Sequence, residues 1–573
     1  MHDWLFTFGV VMSAGLCGAG FLGPFVARKK LMLLSAPLVG ILLVILGANA
    51  AYAVLGVPYK TATTLSVVAC LGVSGIAWRV LVDWRRLVLL VMLAAAMSAL
   101  AVWTVDRATL RCGSPAIFYM DGTDQGGYAQ MADWLNDHPV EQYPVADPSV
   151  PYQSWPEILF QYDPRFGSFG LLAIVARLYG SSGLFSYNIA CAVFLSAACV
   201  SVAAVYAPSV IWLAALSFGL FISNLFDYAH CGFFGKLVAY PSALLLAGFV
   251  LNSLQCPTID RIFVLAMLAC AIGLMHSGTA NVVLIAPILA TALIVLGLGR
   301  CDSPMLVRAA LMCGLALVLP IMASGILARP VAITYPDWNT PWSYMLPRVL
   351  DLENQNALVS RAGPRTLLWM MWAAAATWAA ALAIAVRRRS PPAIGLLAGP
   401  AILLAAMALF HNRAAAFQML GFIYPATLCG TVVLFEQMPV ASGRIAVVAL
   451  AALAIGLRFS RFLGSVSRYE THPVARYVFT ETEIKQLAAR IGPQSVQVDV
   501  SEPHEGILLL VELGRRQLNV DWSRDAWQIV VGYRRWPWTP PATPPNLLLK
   551  RSADPHPGRQ FELIKLSVDG PRD

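Results

Sequence analysis

The sequence predicts a mainly α fold: a polytopic helical membrane protein with about 13–15 transmembrane helices, followed by a small soluble C-terminal α/β domain. Three observations lead there. Of 573 residues, 58% are hydrophobic and only 12% charged, with a mean hydropathy of +0.66. A soluble globular chain carries about 25% charged residues. Apolar runs of about 20 residues, each long enough to cross a ~30 Å hydrocarbon core, recur from Trp4 to Leu457. A lone run could be a signal peptide, but a long series cannot. Beyond Leu457 the composition turns polar.

The formal charge is +9. Its basic residues stand in short clusters beside apolar runs, the pattern that sets membrane orientation, so no nucleic-acid partner is expected. The cysteines lie mostly inside apolar runs and form no C-x-x-C pair, which leaves zinc ribbons and dithiol redox chemistry without support.

Element by element, Arg28, Lys29 and Lys30 separate the runs Trp4–Val26 and Leu31–Leu55. Arg85 and Arg86 separate Thr61–Val82 from Leu87–Val105. With both clusters inside, the N-terminus and the polar stretch after Val105 are outside. From the other end, Arg387, Arg388 and Arg389 follow Thr366–Val386 and belong inside. The segment Arg329–Arg365 is then outside, with Trp338, Trp342, Tyr344, Asp351 and Glu353 able to cover a groove or form an ordinary amphipathic lid. Runs near Ile394–Phe410, Ala415–Phe435 and Ile445–Leu457 leave the tail from Arg458 to Asp573 outside. Between Arg165 and Asp227 the crossings must be even in number, yet the apolar segments are three: Phe166–Tyr179, Leu184–Tyr206 and Ser209–Phe226. Either the first, which is short for a span, is a re-entrant or interfacial helix, or one boundary is misplaced.

In the tail, Thr480-Glu481-Thr482-Glu483 reads as a capping box opening the helix Ile484–Ile491, which Gly492 stops. Ser495–Val500 alternates as a strand. Gly506–Gly514 is helical in pattern, and Leu518–Trp522, Gln528–Tyr533 and Phe561–Val568 are short strands. Pro537–Pro545 is a proline-rich loop.

Several residue groups could carry chemistry. The loop Asp106–Arg165 is far longer than the usual connection. It holds Asp121-Gly122-Thr123-Asp124, then a helical pattern Ala129–Asn136 after Tyr128, and later Tyr162-Asp163-Pro164-Arg165. Two carboxylates three apart can converge on a cation or on a hydroxyl to be deprotonated; they also suit an Asx-type turn capping the helix. Asp227 and His230, three apart in Asn224–His230, suit a metal or a base with its orienting partner, or a polar helix cap. His411-Asn412-Arg413 precedes Tyr424-Pro425. An Arg at an outer helix mouth can hold a phosphate or snorkel to headgroups. His276, Ser277 and Asn281 are polar groups at membrane depth, functional suspects or helix-packing contacts.

This ordered series resembles the GT-C superfamily of membrane glycosyltransferases, which use polyprenyl-phosphate-linked sugars. Its members carry a catalytic Asp in a first large outer loop, where Asp121 and Asp124 stand here. Their Asp-Pro-Pro-Leu-like turn is matched loosely by Asp163-Pro164-Arg165-Phe166, with Arg165 in place of the second Pro. Asp227 stands for a later outer Asp, and Arg413 with Tyr424-Pro425 for the Arg and Tyr-x-x-Pro that hold the lipid phosphate, at wider spacing. The resemblance runs from about Leu87 to Asp573 and divides the chain into extra helices (1–86), a catalytic membrane region (87–460) and an extracytoplasmic domain (461–573).

It implies an inverting single displacement at the outer face of a bacterial inner membrane. Asp121 or Asp124 would be the base. Arg413, His411 and Tyr424 would hold the donor phosphate, with Tyr128, Asp163, Arg165, Asp227, His230 and His276 near substrate. A divalent cation (Mg2+, Mn2+ or Zn2+) at Asp227 and His230 would neutralise leaving charge, though many members need none. The implied partners are a polyprenyl-phosphate sugar, a glycan, lipid or protein acceptor of the cell envelope, and membrane lipids. Rival readings are a transporter or flippase of a lipid-linked or small solute, which predicts repeats and mid-membrane charges, an O-antigen ligase or polymerase, and a non-catalytic assembly protein.

Overall fold

The computed structural model describes residues 2–26, 29–81, 84–118, 124–139, 142, 144–145, 156, 166–230, 234–254, 258–276, 278–299, 303–327, 375–376, 378–409, 413–438, 441–471, 478–500, 503–516, 518, 520–524, 527, 545–556 and 559–566. The loop residues Asp121, Asp163 and Arg165, the segment Arg329–Arg365, His411, the expected strand Gln528–Tyr533 and the proline-rich loop lie outside or almost wholly outside them.

The fold is mainly helical, with a small sheet near the C-terminus. Among the described residues, seven helices are long and apolar enough to cross a membrane: His2–Val26, Lys30–Leu55, Trp84–Val105, Tyr187–Tyr206, Phe234–Ser253, Asn281–Leu298 and Pro304–Ser324. These suit a multi-pass membrane protein. Others, including Pro391–Leu403, Gly421–Glu436 and Gly443–Gly456, are apolar but shorter. Tyr187–Tyr206 is buried along its whole length, at the centre of the bundle. An all-round apolar helix belongs in such a core or in a membrane span.

The helices alternate in direction and give the bundle two ends. At one, Lys29 Nζ donates to Val205 O at 2.7 Å, Asn252 Nδ2 to the same carbonyl at 3.4 Å, and Arg261 Nε to Pro24 O at 3.0 Å. Arg85 and Arg387–Arg389 stand at this end too, and are exposed. We call it the basic end. At the other, Asn188 Nδ2 donates to Ala116 O at 3.3 Å, and Tyr128 Oη accepts from Gly235 N at 3.0 Å. This loop end carries the chain around 106–139 and the tail.

The parity conflict has a structural answer. Phe166–Tyr179 is 14 residues long, about 21 Å at 1.5 Å per residue, too short to span. Its partners all belong to the loop end: Ser168 Oγ donates to Met275 O, Arg177 Nη1 to Lys60 O, and Tyr179 Oη to Asp3 Oδ1 at 2.7 Å. Asp3 begins the first helix, Lys60 the third, and Met275 ends Ile259–Met275. The helix therefore lies across that end and does not traverse the bundle. Gly170 permits this, since a Cβ there would sit 2.0 Å from Tyr59 Oη.

The third apolar segment is also not one rod. Val210–Phe221 ends, a turn at 222–223 follows, and Asn224–His230 resumes. Such a break frees backbone groups that must find partners in an apolar interior. Arg458, buried, donates from Nε to Ile222 O at 2.6 Å. The helix expected to end at Leu457 instead continues through Arg458 as Ala441–Thr471. Arg458 is an internal cap, not the first residue of a tail.

The tail begins with β2 (Val478–Thr480), which pairs antiparallel with β1 (Ala116–Phe118), Ala116 opposite Thr480. Thr480 caps the helix Glu481–Ile491, accepting from Glu483 N at 3.3 Å. The second half of the expected capping box is diverted. Glu483 Oε1 accepts instead from Gln560 N and Phe561 N, the latter at 3.0 Å, tying the helix start to a strand. The sheet has the order β4-β3-β5-β6, where β3 is Val496–Asp499, β4 Val520–Trp522, β5 Leu547–His556 and β6 Arg559–Lys565. β3 runs parallel to both neighbours, and β5 and β6 form a hairpin. β5 is an element the sequence pattern did not announce: its apolar start turns charged and runs through Asp554-Pro555 to His556.

Candidate functional site

The loop end gathers most elements that carry the sequence-predicted site residues. Asp124 opens the helix Asp124–Asp137, and Tyr128 lies one turn on. The Tyr128 ring packs on Phe169 at 5.3 Å and Phe234 at 5.7 Å. Its hydroxyl oxygen accepts from Gly235 N, just after the helix Asn224–His230 that carries Asp227 and His230. Gly421 makes room for Tyr228, since a Cβ there would lie 1.9 Å from Tyr228 Oη. Gly421 is two turns into the helix Arg413–Glu436, so Arg413 begins a helix that packs on the Asp227 segment. His276, buried, follows Met275, whose carbonyl holds Ser168 of the crossing helix. The elements bearing Asp124, Tyr128, Asp227, His230, Arg413 and His276 thus meet at one end of the bundle.

Two predicted residues have other employment. Tyr424 lies 11 residues after Arg413, about 16 Å along the helix, and its hydroxyl donates to Ala454 O at 3.4 Å. That places it toward the middle of the bundle, at a different level from Arg413. Asn281 donates from Nδ2 to Ile272 O at 2.8 Å across the turn after Met275, a helix-packing contact. The side chains of Asp124, Asp227, His230 and Arg413 lie outside the described residues. Among the described residues no group of three or more His, Cys, Asp or Glu is arranged to hold a metal ion.

A buried polar junction beneath the loop has no counterpart in the sequence reading. Asp133, on the Asp124–Asp137 helix, accepts Gly183 N–H on Oδ1 at 2.9 Å. Arg515 Nε, from the tail helix Pro503–Arg515, stands 3.9 Å from Asp133 Oδ2. Glu512, fully buried on the same helix, accepts from Ser182 Oγ and faces Arg516 Nη2 at 3.7 Å. The tail helix is buried around its girth, with Leu508, Leu509, Leu510 and Val511 all enclosed along with Glu505 and Glu512. Burying each such side chain contributes roughly 1.5–3 kcal/mol relative to exposure. Only a helix covered on two sides buries consecutive residues this way. Here the loop helix packs on one side, and Arg551 of β5 reaches Glu505 at 3.1 Å on another.

Burial dominates the electrostatics of this junction. It lifts the Asp133 carboxyl to about 7, with Arg515 pulling the other way and Glu512 adding to the rise. Burial also raises Glu512, against the pull of the Ser182 hydrogen bond and of Arg515 and Arg516. Desolvation disfavours a charged carboxylate more than an ion pair at 3.9 Å restores it. Away from the junction, Asp106, the residue after the Trp84–Val105 span, is buried and its carboxyl is pushed well up, chiefly by burial. A faint sequence signal existed: Glu512 interrupts the apolar run Ile507–Leu513, and a lone acid in such a run must have a buried partner. The identity of that partner, across some 330 residues, was not readable.

No family model matches the chain, and no curated protein matches it.

Proposed function

We propose that the protein transfers a sugar from a polyprenyl-phosphate donor to a hydroxyl of a cell-envelope acceptor, with inversion, at the loop end of the bundle. The observation that carries this reading is the meeting of the loop helix bearing Asp124, the Asp227–His230 helix, the Arg413 helix start and His276 at one end, opposite the basic end. With the basic end cytoplasmic, that is the outer face, where a lipid-linked donor is presented. The non-crossing helix Phe166–Tyr179 supports the reading further. It lays buried aromatic side chains, Phe166 and Phe169, across the end of the bundle beside Tyr128.

In this mechanism an aspartate of the 121–124 loop takes the acceptor hydroxyl proton. The acceptor oxygen forms its bond to the anomeric carbon as the bond to the donor phosphate breaks. Arg413 receives the growing phosphate charge through its guanidinium fork. Tyr128, fixed by Phe169, Phe234 and Gly235, holds the loop helix in register with the Asp227 segment.

The test is reconstitution of the full chain with a lipid-linked sugar. Asp121→Ala with Asp124→Ala should abolish release of polyprenyl phosphate, a loss of at least about a hundredfold for a general base. Arg413→Ala should weaken donor binding by roughly 1.5–3 kcal/mol, a charge-assisted hydrogen bond to phosphate. Unaltered release by the double variant sinks the catalytic assignment. Transport of a lipid-linked solute without sugar transfer would move the protein to the flippase reading.

A further inference from the structure

The basic end holds a polar cavity of 270 Å³ between helix ends, lined among others by Phe25, Lys29, Asn252, Arg261, Glu436 and Gln437. Its two cations are tethered from behind. Lys29 Nζ donates to Val205 O at 2.7 Å. Arg261, only 7% exposed, donates from Nε to Pro24 O at 3.0 Å, with its guanidinium 5.7 Å from the centre of the Phe25 ring. These tethers fix both positive groups on the wall of one cavity. Among the described residues the carboxylate lining it is Glu436, which is exposed, so the described lining carries one positive charge in excess. Lys29 immediately precedes the span Lys30–Leu55, and Arg261 stands in the first turn of Ile259–Met275. Both therefore lie at the depth of lipid phosphates.

We propose that this cavity binds the headgroup of a phospholipid of net negative charge, through its phosphodiester, from the leaflet at the basic end, between Lys29 and Arg261. The charge fits: one negative charge meets one excess positive charge. The geometry fits as well, since a guanidinium offers a planar fork to phosphate and an ammonium a point charge. Basic pockets between transmembrane helices on the cytoplasmic side are a known physical setting for anionic headgroups. Burial has lowered the Lys29 ammonium to about 8, partly offset by Glu436, and a bound anion would push it back up. The site lies at the opposite end of the bundle from the proposed sugar chemistry and does not depend on it. Free inorganic phosphate shares the chemistry but lacks the acyl anchor that would hold it at this depth.

The test places the full chain in phosphatidylcholine nanodiscs and titrates phosphatidylglycerol in one arm and inorganic phosphate in the other. Retained lipid is counted by native mass spectrometry, and the thermal midpoint is followed in parallel. The expected result is one retained phosphatidylglycerol and a higher midpoint in the lipid arm alone. Each of Lys29→Met and Arg261→Met should lower retention about fivefold, the value of one cation near an anionic headgroup. Glu436→Gln, at an exposed position, should raise retention and guards against a variant that merely fails to fold. Retention unchanged in both cation variants overturns the site, and so does unchanged or reduced retention in Glu436→Gln. Equal protection by inorganic phosphate overturns the lipid as its source.

Discussion

The two ends of the bundle use charge in opposite ways. At the basic end, Arg85 and Arg387–Arg389 point to solvent and are interchangeable in kind. Their count on one side is what matters, because the positive bias sets orientation. At the loop end, charges are taken out of water and each has a specific partner: Asp133 with Gly183 and Arg515, Glu512 with Ser182 and Arg516. The difference teaches that exposed charge is read by composition, whereas buried charge is read only by geometry. Lys29 and Arg261 are the instructive exception, cations of the basic end that are tethered like those of the loop end.

The comparison can be broken first at Arg458, the buried cation that caps the broken helix. Arg458→Ala should cost about 2–3 kcal/mol, the worth of a charge-assisted hydrogen bond plus an abandoned buried carbonyl. Reversible unfolding in mixed micelles would measure it. A cost below about 0.5 kcal/mol would show that the break at 222–223 is satisfied without it.

A second, smaller effect is the pH dependence of tail docking. The Asp133 carboxyl titrates near 7 in the folded chain and near 3.9 when unfolded, so the folded state binds the extra proton. Its contribution is complete below about pH 4 and is lost as pH rises through 7. Hydrogen exchange of residues 503–515 should therefore accelerate as pH rises from about 4 to 7, by at most about tenfold per pH unit for one proton, and level off above pH 7, after correction for intrinsic exchange. Asp133→Asn should flatten that slope. A rate that falls with rising pH would mean that the ion pair with Arg515, not burial, governs the site.

The smallest effect is expected at the exposed cations. Replacing Arg387, Arg388 and Arg389 together by Ala should change stability by no more than about 0.5 kcal/mol for each, yet leave orientation less well determined. Impermeant thiol labelling of single cysteines at 388 and 124 in sealed vesicles should mark them on opposite sides. Labelling of both from the same side would undo the assignment of the two ends.

Much of the architecture was legible because hydropathy and charge position are local properties. The apolar runs, the polar tail, the Thr480 cap and the strands near Ser495, Leu518 and Phe561 were read from windows of a few residues. The capping box was half right for an instructive reason. The Thr480–Glu483 N–H bond is local, while the Glu483 carboxylate was drawn to Gln560 and Phe561, 77 and 78 residues away. β5 escaped notice because its pairing with both β3 and β6 stabilises a strand whose own pattern is weak. Among the site candidates, the helices carrying Asp124, Asp227 and Arg413 were found as sequence features. Tyr424 was grouped with Arg413 by order along the chain, although Pro425 and the helix rise carry it toward Ala454.

The sequence by itself determined that the chain is apolar enough for many membrane crossings, which segments are helical, and which ends carry the positive clusters. Those follow from transfer free energies and charge counts that depend on a residue and its near neighbours. Tertiary structure alone decided that Phe166–Tyr179 lies across the loop end and that Arg458 caps a broken helix. It also decided that Asp133 and Glu512 meet the tail. Each of these rests on a hydrogen bond or close approach between distant residues, and in a dry interior one unsatisfied polar group outweighs any local preference.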